Sequence, residues 1–170
     1  MSQKSSNSDR ARLFIRPTII TVNQDRDIFV DGALLVQSNR IAAIGKTDSL
    51  TPAVDDTTEV IDCENKIIIP GPINTHDHLA QSLLRGLAED LSLHNWLCDA
   101  VWPLEANYAE EDGHTASMLT IAEILNTGTT CFLKAMMTHR SGLDNVIRAV
   151  EQTGIRACLV RVSSSRDRNC

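Results

Sequence analysis

The sequence has few aromatic residues, little clustered positive charge and no apolar run among its first eleven residues. Aromatic residues make up 4% of the 170 residues, so a core has to be built mainly from Ile, Leu, Val and Ala. The net charge is −6, and no Lys/Arg cluster occurs beyond Arg166 and Arg168, which argues against a nucleic-acid-binding surface. Residues 1–11 are polar and Ser-rich, unlike a secretory signal or a membrane span. We therefore expect neither a nucleic acid nor a membrane as partner.

The five cysteines are odd in number and never occur in C-x-x-C spacing. Scattered cysteines of this kind are typical of reduced, mostly buried thiols in a cytoplasmic protein, which is the location that we expect. The polar ends of the sequence predict a disordered tail over residues 1–11 and a second polar tail over residues 163–170.

Residues 12–66 consist of short apolar runs separated by turn residues. The turn signals include Asp31-Gly32 and Ser38-Asn39. This pattern predicts a small β unit of about five strands, which is too small to bury a substantial hydrophobic core of its own.

Residues 67–162 change to an alternation of apolar strands and helical periodicity. Helices are predicted over Leu93–Leu104, where Pro103 kinks or ends the helix, over Glu110–Asn126, and before Gly154. Strands are predicted at residues 67–78, 129–133 and 156–162. A βαβαβ order of this kind indicates the α/β class with a parallel sheet.

The predicted strand over residues 67–78 ends in His76-Asp77-His78. Alternate side chains of a strand share a face, so the two imidazoles lie about 7 Å apart on one side of the strand while Asp77 points away. Two imidazoles in that arrangement can bind one metal ion. An H-x-H sequence also arises by chance among five histidines, so the spacing is weak without its context.

The context resembles a known family. The segments that carry the likeness are IIIPGPINTHDHLAQSLLRGLAEDLSLHNWL and VWPLEANYAEEDGHTASMLTIAEILNTGTTCFL. They resemble the N-terminal part of the metal-dependent amidohydrolase superfamily, in particular its cytosine deaminase-like branch of S-adenosylhomocysteine/methylthioadenosine deaminases, guanine deaminases and triazine hydrolases. This resemblance implies a (β/α)8 barrel, of which the chain holds about three strands, preceded by half of a composite β-sandwich over residues 12–66.

The resemblance also implies a metal-dependent hydrolase that deaminates or dechlorinates a small nitrogen heterocycle. His76 and His78 would bind one divalent ion, Zn2+ or Fe2+, and the ion would activate water for attack on the ring carbon. The residues that handle protons would come from later strands, so no catalytic residue is assigned in this chain. Full-length members of such a family are expected to form homo-oligomers.

Two further positions match residues that lie over the substrate in the nucleoside-deaminating members. By this resemblance Trp96 would lie over the substrate, and Glu105 would accept hydrogen bonds from ribose hydroxyls. The alternative for Trp96 is helix packing, and the alternative for Glu105 is a solvated carboxylate at a helix end. Arg85 is interpreted as a structural ion-pair donor. Lys134 is a departure, because an aspartate is usual at that position.

The length of the chain limits these expectations. A barrel of this type needs roughly 250 residues, so we expect the chain alone to be inactive and its metal binding to be weak or absent. The alternative is a non-catalytic product, either a truncated pseudoenzyme or an interaction module. A third interpretation is a small metal-binding domain that uses only His76 and His78.

Overall fold

The computed structural model describes residues 10–53, 55–134 and 142–160. Most of the predicted N-terminal tail and all of the predicted C-terminal tail lie outside these ranges. The chain divides into two compact units between Pro70 and Gly71, here called unit 1 and unit 2.

Unit 1 is built from short strands in two small sheets. One sheet has the order β5-β4-β1-β6 and the other the order β3-β2-β7. The strands are β1 (Arg12–Ile15), β2 (Thr18–Ile20), β3 (Ile28–Phe29), β4 (Gly32–Gln37), β5 (Arg40–Lys46), β6 (Glu59–Asp62) and β7 (Ile67–Ile68), with one helical turn, α1 (Thr47–Leu50). The five strands predicted for residues 12–66 are present as β2 to β6, and β1 is additional to them. β7 falls in the strand that was predicted over residues 67–78.

The hairpin between β4 and β5 follows from its turn residues. Ser38 and Asn39 have φ values of 45° and 62°. Positive φ at both central positions is the condition for a type I′ turn, whose twist matches that of the flanking strands. The hairpin predicted at Ser38-Asn39 is therefore confirmed.

The predicted single strand over residues 67–78 is two strands. β7 (Ile67–Ile68) pairs in parallel with β2 inside unit 1, whereas β8 (Ile73–Asp77) belongs to the sheet of unit 2. Pro70 and Pro72 lie between them. Since proline has no N–H to donate to a sheet ladder, the two prolines end one strand and delay the start of the next.

Unit 2 contains a parallel sheet of order β10-β9-β8. The helix α4 (Asp112–Asn126) connects β8 to β9 (Cys131–Lys134), and α5 (Leu143–Thr153) precedes β10 (Arg156–Leu159). α5 ends at Gly154, whose φ of 70° gives the left-handed cap that glycine accepts without strain. The parallel βαβαβ order predicted from the sequence is confirmed within these residues.

Apolar side chains from the sheet and both helices form the core of unit 2. Phe132 of β9 and Val146 of α5 are fully buried. The rest of this cluster is Leu79, Ile121, Ile124, Ala149 and Ile155. Because aliphatic residues dominate the cluster, the low aromatic content is compatible with a packed interior.

The helix predicted over Leu93–Leu104 has a widened middle. It begins as α2 (Leu93–Asn95), continues as a π-helical segment over Trp96–Val101, and ends as α3 (Trp102–Glu105). The Trp102 N–H bonds to the Leu97 carbonyl, five residues back. Pro103 lies in the first turn of α3, where a missing N–H is tolerated, and the helix continues past it to Glu105, so Pro103 does not end the helix.

The cysteines differ in state. Cys63, Cys131 and Cys158 are free thiols, whereas Cys98 is disulfide-bonded, so the expectation of reduced cysteines is wrong for Cys98.

Within residues 10–53, 55–134 and 142–160, none of the helices has the length and apolar character needed to cross a membrane.

Candidate functional site

The C-terminal end of β8 carries the two histidines, and the residues after it anchor them. A 3-10 helical segment over Leu79–Leu84 follows His78 directly. The Thr120 hydroxyl donates to the Leu79 carbonyl at 3.1 Å, and the Ser82 hydroxyl donates to the Ala116 carbonyl at 2.8 Å. These two bonds attach the segment to α4, so the position of His78 is set by buried contacts.

His76 and His78 lie side by side at this end of the strand. Their ring centroids are 5.0 Å apart, with the ring planes 70° from each other. This is closer than the strand spacing predicts, because His78 has left extended geometry, with φ −127° and ψ 69°. Both rings therefore face the same open space, as the sequence predicted for the pair.

An open cleft of about 280 Å³ contains the pair. Its lining residues are His76, Asp77, His78, Gln81, Ser82, Arg85 and Thr120. Neither Trp96 nor Glu105 is among the described residues that line it. Gln81, Ser82 and Thr120 were not predicted as site residues, and the sequence carries no signal for them beyond their closeness to His78 or their place on α4.

The environment of His78 favours the neutral imidazole. Burial lowers the pKa of His78, and the positive charges of Lys134 and His76 lower it further. A neutral imidazole is the form that binds a metal ion. The positive charge of Lys134 also repels a divalent metal ion that approaches His78.

Asp77 lies between the histidines in sequence but makes its own contacts. Asn74 Nδ2 donates to Asp77 Oδ2 at 2.9 Å, and Asp77 is the cross-strand partner of Lys134. Burial raises the pKa of Asp77, while Lys134, His76 and the His78 N–H act in the opposite direction. Asp77 is thus a partly buried carboxylate that Lys134 helps to keep ionised.

Among the residues of unit 2 that the structure describes, Lys134 and Glu105 are the most deeply buried charged side chains. Lys134 is 2% exposed and Glu105 is 3% exposed. Burial lowers the pKa of Lys134, and the charges of Glu105 and Asp77 oppose that effect. Glu105 is therefore not the solvated helix-end carboxylate of the alternative interpretation.

Trp96 and Arg85 are more exposed to solvent than Lys134 and Glu105. Trp96 is half-buried and is the first residue of the π-helical segment. Arg85 binds Glu123 of α4 through both nitrogens of its fork, with Nη1 2.7 Å from Oε1. The structural role interpreted for Arg85 is confirmed by this ion pair.

The donor set at the cleft fits part of a metal site. Two imidazoles with a 5.0 Å separation of centroids are suitable nitrogen ligands for a zinc-type ion. Among the residues that the structure describes, no group of three or more His, Cys, Asp or Glu side chains is arranged to hold a metal ion. The described part of the chain therefore supplies a pair of ligands and not a complete site.

The profile of the amidohydrolase family matches residues 67–170. The chain is 43% identical over 130 residues to a 5'-deoxyadenosine deaminase of Methanobrevibacter smithii, covering 76% of this chain and 28% of that protein. It is 38% identical over 141 residues to a 5-methylthioadenosine/S-adenosylhomocysteine deaminase of Halothermothrix orenii, covering 83% of this chain and 32% of the other. The chain thus spans about a third of the length of these relatives.

The solved structures that are similar to this chain include a deaminase, as the sequence relatives do. An adenosine deaminase from Xanthomonas campestris with bound zinc superposes with a TM-score of 0.77 at 27% identity. The match covers 88% of this chain and 33% of that chain.

Proposed function

The chain belongs to the amidohydrolase family, and from this membership we propose that it supplies the first metal-binding strand of a hydrolase that deaminates a nitrogen heterocycle. The observation that carries the proposal is the His76–His78 pair at the end of β8, where both rings share one cleft. In this proposal β8, β9 and β10 are the first three strands of a (β/α)8 barrel, whose active sites lie at the carboxyl ends of the strands.

His76 and His78 would hold one divalent ion, and zinc is the ion named for the similar adenosine deaminase. When bound, such an ion activates water for attack on the ring carbon that carries the leaving nitrogen. Burial around His78 supports the role, because it favours the neutral ring. Arg85 is already held by Glu123 and has no proposed part in the reaction.

We assign substrate contacts to Trp96 and Glu105. An adenine-type base would stack on the half-buried indole of Trp96. Glu105 Oε2 is buried and finds no hydrogen-bond partner among the described residues, so it has a free acceptor for the hydroxyl groups of a ribose. The deaminase names of the relatives support an adenosine derivative as substrate and favour deamination over dechlorination.

A segment exchange tests this function. Residues 71–160 of this chain would replace the matching segment of the Methanobrevibacter smithii enzyme, and ammonia release from 5'-deoxyadenosine would be measured after zinc loading. We expect the hybrid to release ammonia and the His76→Ala/His78→Ala hybrid to lose more than about a hundredfold in rate. Arg148→Met in the same segment is the matched control, since Arg148 lies on α5 outside the cleft.

A folded, zinc-loaded hybrid that releases no ammonia would contradict the proposal. It would favour the non-catalytic alternative, in which this segment keeps the family fold without supporting the reaction.

A further inference from the structure

The side chain of Tyr108 joins two parts of unit 2 that are far apart in sequence. Its hydroxyl donates a hydrogen bond to the Ala80 carbonyl at 2.6 Å. Tyr108 lies in the turn between α3 and α4, whereas Ala80 lies in the 3-10 helical segment over Leu79–Leu84 that follows His78. The bond therefore connects the turn after α3 with the backbone that leads away from the histidine strand.

Backbone hydrogen bonds on both sides of Tyr108 fix its position. The Tyr108 N–H donates to the Glu105 carbonyl at 3.2 Å, at the end of α3. On the other side, the Ala109 N–H donates to Asp112 Oδ2 at 2.8 Å, and the Asp112 N–H donates to the Ala109 carbonyl at 3.2 Å. Asp112 is the first residue of α4. Because the backbone on either side is bound to a helix end, Tyr108 presents its hydroxyl to Ala80 from a fixed turn.

The acceptor of this bond lies in buried backbone. Leu79 and Ala80 are 0% and 1% exposed. The Leu79 carbonyl accepts from the Thr120 hydroxyl of α4 at 3.1 Å, and the Ala80 carbonyl accepts from Tyr108. Two successive carbonyls are thus held by hydroxyl groups from two different places in the fold. Since a buried carbonyl that loses its donor is unfavourable, the segment is expected to shift when the Tyr108 hydroxyl is removed.

The direction of the His78 ring depends on the same stretch of backbone. His78 has φ −127° and ψ 69°, and its carbonyl accepts from the Gln81 N–H at 2.9 Å. His78 is therefore part of the first turn of the segment. Because one residue separates His78 from Ala80, a shift of the Ala80 carbonyl is carried to the histidine through this turn.

We propose that Tyr108 is a positioning residue, whose hydroxyl fixes the turn after β8 and thereby holds the His78 imidazole in the direction in which it binds an ion together with His76. The anchoring of the turn stands on the hydrogen bonds of the structure. The effect on an ion rests on the proposed function. Groups that orient metal ligands from outside the ligand set typically change metal affinity by about 10- to 100-fold when they are removed.

Amide hydrogen exchange of the 170-residue chain tests the anchoring without any metal. Tyr108→Phe removes the hydroxyl and keeps the ring. We expect the Gln81 N–H, which bonds to the His78 carbonyl, to exchange about tenfold faster in this variant. The Gly154 N–H bonds to the Val150 carbonyl at the end of α5, and its exchange rate should stay within about twofold.

Thr153→Val is the matched control for the loss of one hydroxyl. The Thr153 hydroxyl is also partly buried and donates to a backbone carbonyl, that of Ala149, at 2.8 Å. Thr153 lies on α5 and does not line the cleft. We expect both variants to raise the unfolding equilibrium constant in urea by roughly two- to tenfold. Exchange of the Gln81 N–H should rise in Tyr108→Phe and stay unchanged in Thr153→Val.

Zinc affinity separates positioning from general support of the fold. Competition with a chromogenic chelator gives the dissociation constant for zinc, under conditions in which the unaltered chain and both variants are folded. We expect Tyr108→Phe to weaken zinc binding about tenfold and Thr153→Val to change it by less than about twofold.

Each result decides a part of the proposal. An unchanged exchange rate of the Gln81 N–H in Tyr108→Phe overturns the anchoring. Equal acceleration at Gln81 and Gly154, an unchanged zinc affinity, or loss of folded protein in Tyr108→Phe but not in Thr153→Val indicates a purely structural role and overturns positioning. If the unaltered chain binds no zinc, the effect on an ion fails together with the metal site of the proposed function. Exchange at Gln81 then still decides whether Tyr108 anchors the turn.

Discussion

At the scale of single residues, burial and neighbouring charge act together most clearly on Tyr108. Its hydroxyl donates to the Ala80 carbonyl at 2.6 Å. Burial raises the pKa of Tyr108 to about 12, and the negative charges of Glu105 and Asp112 contribute in the same direction. An ordinary tyrosine has a pKa of about 10. The folded chain therefore keeps this proton at a pH where the unfolded chain loses it, and the stability contributed by Tyr108 is lost as the pH rises from about 10 to 12.

This shift can be measured directly, because Tyr108 is the one tyrosine in the sequence. We expect the tyrosinate absorbance of the folded chain to rise with a midpoint near 12, and that of the urea-unfolded chain to rise near 10. In Tyr108→Phe, the free energy of unfolding should fall less steeply above pH 10 than in the unaltered chain. A midpoint near 10 in a chain that circular dichroism shows to be folded would contradict the assignment.

The sequence predicted the relative placement of His76 and His78, because that placement depends on local spacing. The shared face of His76 and His78 follows from strand alternation alone, and their contact at 5.0 Å differs only because His78 leaves the strand. Burial of Lys134 and Glu105 could not be predicted in this way. It depends on how β9 and α3 are each covered by residues far apart in sequence, which is a tertiary relation.

At the scale of elements, the entry to β8 depends on a close approach of two backbones. The Thr130 N–H donates to the Pro72 carbonyl at 3.0 Å, just before β9 begins. A Cβ atom on Gly71 would lie 2.1 Å from Thr130 Cγ2 and 2.8 Å from Thr130 Cβ. Because the second distance involves the root of the side chain, rotation of Thr130 does not relieve the clash. Glycine at position 71 is thus required by space.

We expect Gly71→Ala to lower the free energy of unfolding by about 1–3 kcal/mol, because the pairing of β8 with β9 has to shift. Gly45→Ala is the control, since its nearest side-chain atoms are 3.9 Å away. Its effect should stay within about 0.5 kcal/mol. Urea denaturation measures both variants. Replacing glycine also restricts the unfolded chain and thereby favours folding, so an unchanged or increased stability in Gly71→Ala would show that β8 tolerates the added atom.

The order of the strands and helices could be predicted from the sequence more completely than the geometry within each element. Helical periodicity predicts α4 and α5, whose apolar residues face the sheet. The division of residues 67–78 into β7 and β8 follows from two prolines, but the sequence does not show that β7 finds its partner in β2. The π-helical segment over Trp96–Val101 widens one turn of a helix, and helical periodicity alone cannot detect such a turn.

At the scale of the whole molecule, the described part of the chain offers a metal ion fewer ligands than a closed site has. His76 and His78 are the histidines of the cleft, and no third suitable ligand is grouped with them among the described residues. Binding of an ion to the folded chain alone stabilises it by an amount that grows with the ratio of free ion to Kd. The increase in the free energy of unfolding at a known zinc concentration therefore measures how tightly the chain binds zinc.

We expect zinc to raise the unfolding midpoint of the 170-residue chain. The free energy of unfolding should increase by about 2.7 kcal/mol once the free zinc concentration reaches a hundred times Kd. A chelator should reverse the gain, and His76→Asn/His78→Asn should abolish it. His114→Asn is the matched control, because His114 contacts Gln152 on α5 and does not line the cleft. Thermal or urea unfolding at several zinc concentrations gives the measurement. An equal gain in His76→Asn/His78→Asn would place the ion elsewhere, for example at the free thiols of Cys63 or Cys158, and would remove the metal from the proposed site.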